Sequence, residues 1–158
     1  MSVHRIVRQQ VIYGNIVEVW QFFSNPENLG QLTPANMLFR TTYPPAAEPI
    51  YPGMVITYTV APLWRIPLFW MTEITHVEQG TRFVDEQRAG PYRLWHHQHH
   101  FKQLEGGRVE MTDVVHYALP LGWLGNLVNR LLVRKKLNEI FDFRYHAVDQ
   151  LFNARKEG

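Results

Sequence analysis

Residues 92–120 read YRLWHHQHHFKQL, EGG, RVEMTDVVHYALP. Two runs rich in aromatic and β-branched residues flank Glu105-Gly106-Gly107, and Pro120 closes the second run. That is the signature of a β-hairpin with a glycine turn. If Gly106 and Gly107 tip the hairpin, residues whose numbers sum to about 212 face one another. His99 then opposes Asp113, Phe101 opposes Met111, His97 opposes Val115 and Trp95 opposes Tyr117. Upstream, Ala89-Gly90-Pro91 turns the strand Arg82–Arg88 into the first run. Sums near 180 predict that Phe83 faces His97, Asp85 faces Trp95 and Gln87 faces Arg93.

Side chains alternate across a strand, so one face carries Phe83, Asp85, Gln87, Arg93, Trp95, His97, His99, Phe101, Met111, Asp113, Val115 and Tyr117. The other carries Glu86, Arg88, His96, Gln98, His100, Lys102 and Thr112 and reads as solvent-facing. The mixed face is therefore the inner one. Polar groups set in an aromatic wall are what a pocket with a few orienting groups looks like. The bland alternatives are a satisfied His99–Asp113 pair, an Asp85–Arg93 ion pair, and Trp95, Phe101 and Tyr117 as ordinary core. His97 and His99 with Asp113 form a weak metal pattern. No third histidine shares the face, since His116 has the opposite parity, so no metal and no cofactor are expected. A nucleophilic triad finds no serine on this face, because the only serines are Ser2 and Ser24.

Outward from the hairpin, Met37–Tyr43, Met54–Val60 and Phe69–Val77 read as strands. Arg5–Tyr13 is a strand with apolar residues on both faces, as in a sheet that closes or is covered. Asn15 can cap a short helix through Trp20 and Phe23, and Asn25-Pro26-Glu27 opens a second one ended by Thr33-Pro34. After Pro120 no proline occurs through Arg155. Leu124, Leu127, Val128, Leu131, Leu132, Leu137, Ile140, Phe141, Tyr145, Val148 and Leu151 recur at helical spacing. A helix of roughly 30 residues would span about 45 Å, so a kink or a separate first helix is expected near Val133–Lys136. Phe141 and Tyr145 of this helix complete the expected ligand-binding set. The order predicts an α+β fold, with a six- to seven-stranded antiparallel sheet wrapped around the C-terminal helix.

The chain has 158 residues and a formal charge of +2. This suits one domain over 1–158, and the charge is too small for nucleic acid as the main partner. The absence of cysteine removes thiol chemistry and fits a reducing cytoplasm. No stretch reaches the length of a membrane span. Two apolar segments, Leu63-Trp64-Arg65-Ile66-Pro67-Leu68 and Leu121-Gly122-Trp123-Leu124-Gly125, could frame a cavity entrance at Leu63, Trp64, Leu68, Trp123 and Leu124. A transient membrane contact, a loop folded on the core or a dimer contact fits them equally. Arg130, Arg134, Lys135 and Lys136 read as a solvated basic face. Monomer and homodimer both remain open.

The chain resembles the START-like, Bet v 1-like helix-grip superfamily (SRPBCC, polyketide cyclase/dehydrase-like bacterial stand-alone members). The residues that carry the likeness are Asn25-Pro26-Glu27-Asn28-Leu29 through Leu32-Thr33-Pro34, Phe83-Val84-Asp85-Glu86-Gln87, Gly90-Pro91-Tyr92, Trp95-x-His97-x-His99-x-Phe101, and Met111-x-Asp113-x-Val115-x-Tyr117-x-x-Pro120-x-Gly122. The resemblance implies a hydrophobic ligand, lipid- or polyketide-like, held between sheet and last helix. It also implies entry near the Leu63–Leu68 loop and the start of that helix. Its enzymatic alternative is a cyclase/dehydratase with His97 or His99 as general acid/base beside Asp113. Arg93 and Tyr117 are the further polar candidates under this resemblance.

Overall fold

The computed structural model describes residues 2–43, 48–62 and 64–154. Seven strands form one antiparallel sheet in the order β1-β7-β6-β5-β4-β3-β2. They are β1 His4–Tyr13, β2 Arg40–Tyr43, β3 Val55–Val60, β4 Leu68–Glu78, β5 Arg82–Ala89, β6 Leu94–Leu104 and β7 Arg108–Ala118. Apart from the β1–β7 pairing, sequence neighbours pair, as short turns dictate. Helix α1, Ile16–Phe23, follows β1. Asn15 Oδ1 accepts the Glu18 backbone N–H at 2.8 Å and so starts it. Asn25 Oδ1 accepts from Glu27 N at 3.0 Å, but the Pro26–Leu32 segment winds as a 3₁₀ helix rather than an α-helix. A second 3₁₀ turn, Ala35–Met37, occupies the start of the segment read as strand, and β2 begins only at Arg40.

The β6–β7 hairpin has the register its glycines impose: Trp95 faces Tyr117, His97 Val115, His99 Asp113 and Phe101 Met111. The β5–β6 pairing differs from the expected one by two residues. Phe83 faces His99 and Asp85 faces His97. The reason is local. Gln87 Nε2 donates to the Tyr92 carbonyl at 2.6 Å, and its Oε1 accepts the Tyr92 N–H at 3.1 Å. This clasp widens the turn, so the ladder ends at Glu86 and His96. A shift of two preserves parity, so the inner face keeps its members in β5 and β6. Arg93 leaves the ladder and is exposed. The expected Asp85–Arg93 ion pair therefore does not form.

Two irregularities bend the sheet between β4 and β5, one between Met71 and Thr72 and one between Ile74 and His76. Such bulges add local twist and curvature. β1 is an edge strand, and its outer face is uncovered: Val7 and Val11 are 45% and 39% exposed, while Ile6 and Ile12 are buried. Its two-sided apolar pattern therefore does not mean two-sided burial.

The C-terminal helix lies across the concave face. It runs without a break from Gly122 to Asn153 as α2 Gly122–Val128, a π-helical turn Asn129–Val133, α3 Arg134–Val148 and a second π-helical turn Asp149–Asn153. The expected break is thus a widened turn. Buried Asn129 sits there, and its Oδ1 accepts the Tyr117 hydroxyl at 2.9 Å. A π turn shifts the phase of the helix without ending it. Gly125 lets the helix start pass close to the end of β7, since a Cβ there would overlap the Pro120 carbonyl.

Two core clusters fill the ends of the concave face. Phe101, Met111 and Val109 pack with Trp20, Phe23 and Phe152 at one end. Val115 and Tyr117 pack with Ile6, Leu137 and Phe141 at the other. Among the described residues, no helix is long and apolar enough to cross a membrane.

Candidate functional site

Between the two filled ends lies a cavity of about 310 Å³, bounded by β3–β6, the 3₁₀ segments and α3. Its wall is aromatic and aliphatic. Tyr58, Trp70, Tyr92 and Trp95 form one continuous contact: Trp70 stacks on Tyr58 at 5.8 Å and meets Trp95 edge-on at 5.2 Å. Ile56, Ile74, Phe83, Ile140 and Phe141 extend the wall. Rings pinned against one another in this way hold an apolar space open at little entropic cost.

One side of this cavity is charged. Asp85, His97, His99 and Arg144 line it, and Asp113 stands behind the histidines. His97 Nε2 donates to Asp113 Oδ1 at 2.9 Å, and His99 Nε2 lies 2.7 Å from Asp85 Oδ2. His99 Nδ1 is 3.0 Å from Asp113 Oδ1, but it is off the hydrogen-bonding direction and has no hydrogen-bond partner. The His97 and His99 rings are 3.8 Å apart, and His99 also stacks on Phe83 at 4.0 Å. Arg144 reaches over the Phe23 ring and comes within 3.8 Å of Asp113.

Buried charges persist only when matched, and here they are. Burial pushes Asp113 upward, but Arg144, the bond to His97 and the nearby His99 outweigh it and hold the carboxyl well below its ordinary value. Burial likewise works against ionised Asp85, and the two histidines more than offset it. Burial lowers His97, reinforced by His99 beside it. Burial works against charged His99, but the adjacent Asp113 and Asp85 carboxylates outweigh it and raise the imidazole. Asp85 and Asp113 are thus matched by Arg144 and by two histidines shifted in opposite directions. On the outer face His96, Gln98, His100 and Glu86 form a separate hydrogen-bonded row.

Of the residues expected to touch a ligand, Phe83, Asp85, Trp95, His97, His99 and Phe141 line the cavity. Phe101, Met111, Val115 and Tyr117 are fully packed in core instead, because α1 and the C-terminal helix cover those parts of the sheet. Gln87 is committed to its turn, and Tyr145 is 47% exposed and does not line the cavity. Of the expected entrance residues, Leu68 lines the cavity, Trp64, Trp123 and Leu124 are exposed at the surface without lining it, and Leu63 lies outside the described residues.

Arg144 is a charged cavity-lining residue that sequence reasoning missed. A signal existed: Leu137, Phe141, Arg144 and Val148 recur at helical spacing, so a lone arginine falls on the buried stripe. Trp70, Thr72 and Ile74 were also missed. They alternate on β4, and Trp70 Nε1 donates to Thr72 Oγ1 at 3.0 Å.

No protein-family model matches the chain, and no curated protein sequence matches it. Solved structures do. Protein Ms6760 from Mycobacterium smegmatis superposes with a TM-score of 0.68 at 16% identity, covering 98% of each chain. The major latex-like protein 151 from Panax ginseng gives 0.68 at 11% identity, over 95% of this chain and 97% of that one. The Zhui aromatase/cyclase from Streptomyces sp. R1128 gives 0.68 at 8% identity, over 97% of this chain and 98% of that one. The strand order, the curved sheet and the C-terminal helix laid along it thus give this chain the helix-grip fold of Bet v 1-like and aromatase/cyclase proteins.

Proposed function

We propose that the protein binds a hydrophobic or amphipathic small molecule, lipid- or polyketide-like, in the cavity between sheet and C-terminal helix. The observation that carries this reading is the cavity of about 310 Å³, walled by aromatics and polar on one side. Ligand sites are typically apolar hollows of that order with a few polar groups that set orientation. The rings supply contact area, and Asp85, His97, His99 and Arg144 orient a polar end. Solved structures of the same fold include a major latex-like protein and an aromatase/cyclase, and such company is compatible with an internal ligand.

The experiment is native mass spectrometry with solvent extraction of the purified chain, done in chelator, followed by titration with fatty acids and polycyclic phenols. Ile140→Trp fills the cavity from α3. The larger side chain should cost about 1–3 kcal/mol of stability at most and weaken binding at least tenfold. No co-purifying species and no thermal shift with any probe would sink the reading.

A further inference from the structure

We propose that Asp85, His97 and His99 form a three-ligand site for a divalent transition-metal ion at the polar side of the cavity, with Asp113 behind them as the carboxylate that orients the His97 imidazole. The proposal stands on geometry and does not depend on what fills the apolar part of the cavity.

His97 Nε2 donates to Asp113 Oδ1 at 2.9 Å, which sets the tautomer and leaves the Nδ1 lone pair free. That Nδ1 makes no hydrogen bond within the described residues, and it faces Asp85 Oδ2 at 3.6 Å. His99 turns Nδ1 toward the same Asp113 oxygen, 3.0 Å away, and directs Nε2 at the same Asp85 oxygen. One donor nitrogen from each histidine therefore converges with one carboxylate, and the three ligand atoms lie within 4.8 Å of one another. Donors bound about 2.0–2.2 Å from one ion sit roughly 3–3.5 Å apart. The His97–Asp85 separation of 3.6 Å is just above this, and the 2.7 Å His99–Asp85 contact is just below it, so small rotations bring both into range.

A histidine ligand whose other nitrogen is held by a carboxylate is the usual way a metal site fixes its rings. Here Asp113 holds His97 in this way and lies 3.0 Å from His99 Nδ1 without a hydrogen bond. Its own position is secured by Arg144, 3.8 Å away. The three ligand residues line the cavity while Asp113 does not, so the coordination positions left open face the apolar space. Two nitrogens and a carboxylate oxygen, with no thiolate, suit zinc, iron(II) or manganese(II). With neutral imidazoles, the ion and Arg144 together outweigh Asp85 and Asp113 by one positive charge. The open positions would thus favour an anionic oxygen, such as a carboxylate or enolate group on a bound molecule.

The test is metal titration of the chelator-stripped full chain, with Co²⁺ read by its visible ligand-field absorption and Zn²⁺ by competition. The expected result is one saturable Co²⁺ per chain, displaced by Zn²⁺. Asp85→Asn, His97→Gln and His99→Gln should each weaken Zn²⁺ at least 100-fold, and Asp113→Asn by about 10–100-fold. Replacing the outer-face pair, His96→Gln with His100→Gln, should leave binding unchanged. The proposal is overturned if the wild-type chain takes up no stoichiometric Co²⁺. It is equally overturned if the outer-face variant loses binding while a folded Asp85→Asn retains it. Should an inner variant fail to fold by circular dichroism, the wild-type stoichiometry and the outer-face variant still decide. Failure leaves the apolar-ligand reading intact, because that reading is measured in chelator.

Discussion

Replacing Arg144 by Met should expose how the buried cluster is balanced. Its side chain and that of Asp113 are only 12% and 8% exposed, so solvent screens the pair little. At 3.8 Å and an effective dielectric constant of about 20, Coulomb attraction is roughly 4 kcal/mol. The cost of burying the guanidinium offsets part of that. Methionine keeps an apolar stem beside Phe23 but leaves Asp113 buried and short of a counter-charge. The expected loss is therefore about 2–3 kcal/mol, near the low end for breaking a buried pair. In an Asp113→Asn background the same replacement removes a charge with less to neutralise, and should cost about 1 kcal/mol or less. Urea unfolding of the four proteins at neutral pH, in chelator, gives the coupling energy. Additivity within about 0.5 kcal/mol would refute the claim that these two groups stabilise each other. The surface pair Arg8–Asp142, 3.2 Å apart but 38% and 61% exposed, is the internal comparison: Asp142→Asn should change stability by under about 1 kcal/mol.

Two further substitutions separate structure from binding. Tyr117→Phe strands the buried Asn129 oxygen at the π turn, and chemical denaturation should register about 1–2 kcal/mol of destabilisation. Apolar probe affinity should stay the same because Tyr117 lines no part of the cavity; a tenfold loss would return it to the ligand set. Gly125→Ala forces a Cβ onto the Pro120 carbonyl, so the melting temperature should fall sharply, by at least the equivalent of about 2 kcal/mol. An unchanged melting temperature would mean that α2 does not approach β7 as closely as described.

What could be read in the chain without coordinates was whatever depends on neighbours along it. Asn15 and Asn25 announce their caps because the groups they satisfy lie two or three residues away. The register of β6 on β7 follows from Gly106 and Gly107, since a tight turn leaves few ways to pair what it joins. Parity then places His97, His99, Asp113 and Asp85 on one face. Other features required distance in sequence. The Gln87 clasp on Tyr92 slides β5 by two residues and puts Asp85, rather than Phe83, opposite His97. Which parts of the inner face became core and which became cavity depended on where α1 and the C-terminal helix came to rest. Arg144 enters the cluster from a helix 31 residues beyond Asp113. Local pattern thus determined which side chains face inward. Only packing decided which of them meet, because contact distance and burial, and hence the strength of every charge interaction in the cluster, are set by elements far apart in the chain.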